Sequence, residues 1–203
     1  MDAAEISEIL EQHRLWVESD GKEGFQAIFT GLSLCGANFQ KANLVKADLT
    51  GVDLSSANLR NANLTKASLM RANLAKADLS GANLTEASLE RADLRRAKLT
   101  RANLTMANLE RADLTAANMV HINLRRADLT GAILLTALLN NADLTDANLP
   151  RANLTGADMS GAELTSTNLK GANLTRTDLS HTNLSRCNLA GANLANAILP
   201  SKY

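Results

Sequence analysis

Aromatic residues are scarce in this sequence. They make up 2% of its 203 residues, and residues 40–202 contain none. Stacked aromatic platforms for nucleic-acid bases are therefore excluded from that region. Neither sign of charge predominates either, because 21 Lys and Arg residues balance 21 Asp and Glu residues. This balance argues against a strongly basic nucleic-acid binder, so we expect no nucleic-acid partner.

Long hydrophobic runs and targeting patterns are also lacking. No stretch of about 18 apolar residues could span a membrane, so we expect no membrane partner. The N-terminal stretch, MDAAEISEILEQHR, has neither the basic start nor the apolar core of a secretory signal. The only cysteines, Cys35 and Cys187, are too few for a disulfide framework. Together these features predict a cytoplasmic protein.

A five-residue repeat fills most of the chain. From Leu34 to Leu199, every fifth residue is large and apolar, and 31 of these 34 positions are Leu. Ala stands two residues before most of them, Asn or Asp one before, and Ser or Thr often one after. The unit therefore reads A-[ND]-L-[ST]-x, as in Ala72-Asn73-Leu74 followed by Ala77-Asp78-Leu79.

This period fits neither a helix nor a flat strand. On an α-helix, five residues rotate by about 140°, which would spread the leucines over every face. On a strand, an odd step would put successive leucines on opposite faces. A chain that turns a corner once per unit would instead point every Leu at a common axis. The period thus predicts a β-solenoid, in which each coil covers the edge of its neighbour.

The unit and its uninterrupted recurrence resemble the pentapeptide-repeat family over about residues 27–199. The resemblance implies an all-β solenoid, a right-handed quadrilateral β-helix with four units per coil, and hence about 8–9 coils here. It also implies that the central Leu and the Ala point inward. The short segment His13-Arg14-Leu15-Trp16 is similar to cyanobacterial and other bacterial cytoplasmic members with an N-terminal capping helix. We therefore divide the chain into a cap, residues 1–26, and a β-helix, residues 27–203.

The first residues predict an α-helix that covers one end of the rod. Asp2 and Glu5 have the spacing of a capping box, and an apolar face recurs at helical spacing. We expect Phe25 and Phe29 to lie between this helix and the first coil. An end cap is the simpler interpretation of the helix, and a partner-binding element is the alternative.

The other end has no comparable helix in the sequence. The repeat runs to Leu199 and is followed by Pro200, which removes a donor from the ladder. We expect a monomer, and an end-to-end homodimer through this end is the alternative.

Catalytic or cofactor-binding motifs are not found. The sequence has three histidines, too far apart to share a metal in a 20-residue coil, and no glycine-rich phosphate loop or nucleophile elbow. Most of its aspartates occupy the slot before the central Leu, where a short polar side chain can bind the local backbone. We therefore predict no catalytic residue, no metal and no cofactor.

Two surface features interrupt the repeat. Ile133, Leu135 and Leu138 stand at positions expected to face solvent, with Val120 one coil away. This apolar patch indicates a contact surface. The alternatives are a local bulge that turns these side chains inward, or packing under a neighbouring loop. A weaker candidate is a belt of exposed basic residues, for which cross-coil ion pairs are the simpler explanation. The belt comprises Arg91, Arg96, Arg101, Arg111 and Arg126.

These patterns favour a non-catalytic scaffold that binds an unidentified protein partner, because a regular rod presents a surface and lacks a cleft. The alternative is a gyrase-binding protein that imitates DNA, as the quinolone-resistance branch of the family does. That role calls for an acidic rod, whereas residues 31–203 carry 19 basic and 14 acidic residues.

Overall fold

A computed structural model describes residues 1–201 of the chain. Its N-terminal helix, α1 (Ala3–Glu18), begins at the predicted capping box. The Asp2 carboxylate accepts hydrogen bonds from the backbone N–H groups of Ala4 and Glu5, and the Glu5 carboxylate accepts one from the N–H of Asp2 at 2.7 Å. These bonds satisfy donors that the first turn of a helix leaves without partners.

The rest of the described chain winds into a solenoid with a coil of 20 residues. Parallel bridges of one residue each join every residue before a central apolar position to its counterpart 20 residues on, from Ile28↔Asp48 to Asp178↔Ile198. Each central residue from Leu34 to Leu179 also donates to the next coil, as Leu104 N–H does to the Asn123 carbonyl at 2.7 Å. Four five-residue units thus make one coil, and residues 20 apart form columns along the rod.

The chain turns at a corner between successive units. Every fifth residue from 31 to 196 has a φ between 52° and 69°. At each corner an N–H reaches back three residues, as Ala107 N–H does to the Leu104 carbonyl at 3.0 Å. A positive φ at the third position and this bond are typical of a type II turn. Although this φ favours glycine, 25 of the 34 corner residues have side chains.

The core lies along the axis of the rod, as the period predicts. Every fifth residue from Leu44 to Leu179 is fully buried, and the alanines between them are buried as well. Thr167 and Thr177 replace two of these alanines, and their hydroxyls donate to the carbonyls of Leu144 and Leu154 at 2.8 Å. Both buried hydroxyls are therefore hydrogen-bonded, which offsets the cost of placing a polar group in the core.

The two ends of the solenoid differ. At the first end, α1 buries Ile6 and His13 against the opening coils. Phe29 is fully buried there, but the expectation for Phe25 was wrong, since 51% of its surface is exposed. At the other end the central residues are only half-buried or exposed, because no further coil covers them among residues 1–201. These residues are Leu184, Leu189, Leu194 and Leu199.

Candidate functional site

The apolar patch is exposed in part. Ile133 is 37% exposed and Leu138 is 42% exposed, whereas Val120 and Leu135 are half-buried. Ile133 and Leu138 stand at bridge positions on two adjacent faces of the rod, and Leu135 lies at the corner between them. The patch therefore bends around one corner, with Ile133 and Leu138 as its most accessible side chains.

The backbone beneath the patch is regular. Ile133 pairs with Asp113 on one side and Asn153 on the other, and Leu138 pairs with its two neighbours in the same way. The N–H groups of the following residues, Leu134 and Leu139, donate to the next coil at 2.7 and 2.6 Å. A bulge would disrupt this ladder, so the alternative of a bulge that turns these side chains inward is wrong.

Ile133 and Leu138 also lack a bond that their counterparts make. At most bridge positions an Asn or Asp side chain accepts the N–H two residues on, as Asn153 does from Thr155 at 3.2 Å. This local bond holds the corner and faces the short polar side chain toward its own backbone. Ile133 and Leu138 cannot accept it, and each presents an apolar side chain at the surface instead.

The basic belt spans all four corners of the rod, and its five arginines are exposed. Arg91 and Arg111 stack at one corner, Arg96 lies at the next and Arg101 at the third. Arg126 lies at the fourth corner, where its guanidinium is 3.8 Å from the Asp146 carboxylate. The five arginines therefore lie in four different columns and do not form one stripe.

His13 is the buried polar residue that holds the cap. Its Nδ1 accepts the backbone N–H of Ala27 at 3.0 Å, and its ring stacks on that of Trp16 with centroids 5.6 Å apart. Nε2 has no hydrogen-bond partner within residues 1–201. Burial lowers the pKa of His13 below its ordinary value, although the peptide group of Val45 acts in the opposite direction. His13 is thus a neutral acceptor that joins α1 to the first coil.

The two cysteines differ in their surroundings. Cys35 is exposed and Cys187 is half-buried, and both are free thiols. Burial raises the pKa of Cys187 to about 11, which keeps it protonated and weakly nucleophilic. In the described part of the chain, no three His, Cys, Asp or Glu side chains come close enough to hold a metal ion. No helix of residues 1–201 is both long and apolar enough to cross a membrane.

Comparison with known proteins identifies the repeat. The family model described as pentapeptide repeats matches in eight copies that extend from residue 26 to residue 200. A search of curated proteins finds no match.

Solved structures with the same fold support this assignment. HetL, a pentapeptide repeat protein involved in heterocyst differentiation regulation in the cyanobacterium Nostoc sp. strain PCC 7120, is 31% identical. That alignment covers 100% of this chain and 99% of HetL, with a TM-score of 0.58. Full-length QnrB1, a plasmid-mediated fluoroquinolone resistance protein, is similar in fold alone, at 17% identity and a TM-score of 0.61 over 87% of this chain and 93% of QnrB1. The chain therefore belongs to the pentapeptide-repeat family, whose fold is a right-handed β-helix, here preceded by an N-terminal helix.

Proposed function

We propose that this protein is a non-catalytic scaffold of the cytoplasm that binds a protein partner through the apolar patch. The observation that carries the proposal is the exposure of Ile133 and Leu138 at two positions where the repeat usually places Asn or Asp. Clustered apolar side chains on a solvent-facing surface are typical of contact sites. The likeness to HetL, which is involved in differentiation regulation, supports a regulatory role.

The organisation of the chain is part of the same proposal. We assign residues 1–26 to a cap and residues 27–203 to a β-helix of eight to nine coils, about 40 Å long at the usual strand spacing. Residues 202 and 203 of this assignment lie outside the described residues. We expect this rod to be a monomer. A homodimer through the half-covered C-terminal end is the alternative, and a molar mass from light scattering on dilute protein distinguishes the two.

Gyrase binding by DNA mimicry is not favoured. QnrB1 is similar at 17% identity, which concerns the fold and not the surface. The solenoid of this chain carries an excess of basic residues, and its central positions are almost all Leu. A surface that imitates DNA must be acidic, because DNA carries a negative charge at every phosphate.

The experiment replaces the two exposed apolar side chains of the patch with Asn, which is common at this position of the repeat. The variant Ile133→Asn with Leu138→Asn keeps the bridge positions and introduces Asn, the residue that is commonest there. The control is Met106→Asn, which removes a side chain that is 51% exposed at a corner far from the patch. Its φ of 59° is one that Asn tolerates.

The tagged full-length proteins are used to capture partners from an extract of the source organism. We expect the double variant to lose the specifically captured protein, while Met106→Asn retains it. Circular dichroism and thermal unfolding establish that each variant is folded. If the double variant captures the same protein in the same amount as the unaltered chain, the patch is not the contact surface.

A further inference from the structure

The basic residues of the central coils lie on two adjacent faces of the rod. The columns place residues 71–81, 91–101 and 111–121 above one another on these faces. These three stretches hold eight Lys and Arg residues against three Asp residues, and all eight bases are exposed. We call them the basic surface: Arg71, Lys76, Arg91, Arg95, Arg96, Lys98, Arg101 and Arg111.

The other two faces of the same coils carry few charges. Residues 82–90 and 102–110 contain no Lys or Arg. Of their three acids, Glu86 lies 3.5 Å from Lys66, and Glu90 and Glu110 lie at the corner of Arg91 and Arg111, which borders the basic faces. The central coils are thus basic on two faces and nearly uncharged on the other two, although the net charge of the chain is zero. Arg95 and Lys98 add two bases that stand at a turn position and a bridge position rather than at the positive-φ corner positions.

Only part of the basic surface is neutralised by neighbouring carboxylates. Arg95 bonds Asp93 through its Nε at 2.8 Å, and Arg91 and Arg111 lie 3.5 and 3.6 Å from adjacent glutamates. The other five bases have no carboxylate within 4.0 Å among residues 1–201. These five are Arg71, Lys76, Arg96, Lys98 and Arg101.

A depression opens at the corner between the two basic faces. It has a volume of about 470 Å³ and is lined by Ala75, Lys76, Arg95, Arg96 and Thr115. Arg95 lies over Ala75 in the next coil, because the Lys76 N–H bonds the Arg95 carbonyl at 2.9 Å. The side chain of Ala75 is small and leaves space beneath that of Arg95. The unneutralised Lys76 and Arg96 therefore border a concave area that a partner's side chain can enter.

The apolar patch continues the same two faces. Ile133 lies in the column of Asp93 and Asp113, and Leu138 lies in the column that contains Lys98. Leu135 lies in the corner column of the depression, two coils beyond Arg95. At about 4.8 Å per coil, Leu135 lies roughly 10 Å beyond Arg95 and about 5 Å beyond Thr115, the last residue that lines the depression.

We propose that the basic surface and the apolar patch form one docking surface for an acidic protein segment whose apolar side chains follow its acidic ones. This inference rests on the proposed function and adds the chemistry of the partner. Carboxylates of the segment pair with Lys76, Arg96 and Arg101, and its apolar side chains cover Ile133 and Leu138. Charge complementarity of this kind gives specificity and fast association.

The same surface is a poor match for nucleic acid. Its apolar end offers aliphatic side chains, and residues 40–202 provide no aromatic ring for stacking on bases. An acidic protein segment with apolar side chains can contact both the basic surface and the apolar patch, whereas a phosphate backbone can pair only with the basic surface.

The test measures fluorescence anisotropy of a labelled peptide with a glutamate-rich half followed by a leucine-containing half. A second peptide has glycine in place of each leucine. The full-length protein is compared with Lys76→Glu/Arg96→Glu and with a matched control, Lys46→Glu/Lys66→Glu. The control makes the same change in net charge at the opposite corner of the rod.

We expect the first peptide to bind, and its binding to weaken with added salt. Its affinity should fall about tenfold for Lys76→Glu/Arg96→Glu and change by less than about twofold for the control variant. Leu138→Asn should weaken the leucine-containing peptide and leave the glycine version unchanged. Equal losses in both charge variants, or no binding, overturn the proposal. So does tighter binding of a short DNA duplex, or of phosphatidylserine vesicles, that depends on Lys76 and Arg96.

This test is separate from that of the proposed function. If Lys76→Glu/Arg96→Glu captures the native partner as well as the unaltered chain does, the acidic chemistry of the partner is wrong. The loss of that partner in Ile133→Asn/Leu138→Asn would then still support the scaffold function.

Discussion

Protonation of His13 should release the N-terminal cap. Its Nδ1 accepts the N–H of Ala27, and an acceptor nitrogen must be free of a proton. A proton on Nδ1 would face that N–H, break the bond and place a charge in a buried site. Leaving the buried N–H of Ala27 without a partner costs about 1–3 kcal/mol, and the buried imidazolium adds to this. Because an isolated 16-residue helix is marginal in water, this loss should be enough to detach α1.

The direction of the pH dependence follows from burial. The pKa of His13 lies below its ordinary value of 6.5 when the cap is docked and returns to that value when the cap is released. The released state therefore binds more protons between the two values. The stabilisation of the docked cap is complete above about pH 6.5 and decreases as the pH falls toward the lowered pKa.

Trp16 makes the experiment direct, because it is the single tryptophan of the chain and stacks on His13. We expect a reversible change of its fluorescence below pH 6.5, together with a loss of helical circular dichroism, since α1 is the only helix in residues 1–201. His13→Leu also leaves the Ala27 N–H without its acceptor, so it should have a released cap at every pH and show no transition. His121→Asn with His181→Asn, at two exposed corners, should preserve the transition. A transition that persists in His13→Leu, or a cap that becomes more stable in acid, would refute the role of this residue.

Two further predictions concern the solenoid. Leu104→Ala creates a cavity at a fully buried position in the middle of the rod and should lower the free energy of unfolding by about 2–5 kcal/mol. Leu194→Ala in the half-covered last coil should cost less than half as much. Urea unfolding measures both losses, and equal losses would contradict a core that is less covered at its C-terminal end. Gly51 has a φ of 64° and open space where the methyl group of an alanine would lie, so Gly51→Ala should cost about 1–2 kcal/mol of left-handed strain, partly offset by about 0.4–1 kcal/mol from the stiffer unfolded chain. An increase in melting temperature would show that the corner does not strain a side chain.

The period of five was enough to predict the solenoid. Once every central Leu had to meet on one axis, a corner in each unit was the only regular solution, and residues from Leu44 to Leu179 are buried accordingly. The capping box at Asp2 was equally predictable, because both of its bonds are local in sequence. The exposure of the Phe25 side chain was not predictable. It depends on where the link from α1 enters the first coil, and no repeat governs that segment.

The candidate site was predictable to a smaller extent. Ile133 and Leu138 depart from the repeat and could be found by that departure alone. The burial of His13 could not be foreseen in the same way, since its partner, Ala27, belongs to another element. The charge asymmetry of the central coils also depends on Arg95 and Lys98, whose membership of the basic faces becomes evident only when each column is followed through its bridges.

Because each unit is one quarter of a coil, the core and the surface respond differently to changes in chain length. Removal of a single unit, such as residues 121–125, would leave every later Leu on the axis but rotate all later columns by one corner. Ile133 would then leave the two basic faces and Leu138 would move to the face of Asp93 and Asp113, whereas removal of four units would return both to their present columns. Insertions and deletions in such a protein can therefore rearrange its outer surface in quarter-turn steps while the leucine core keeps its register.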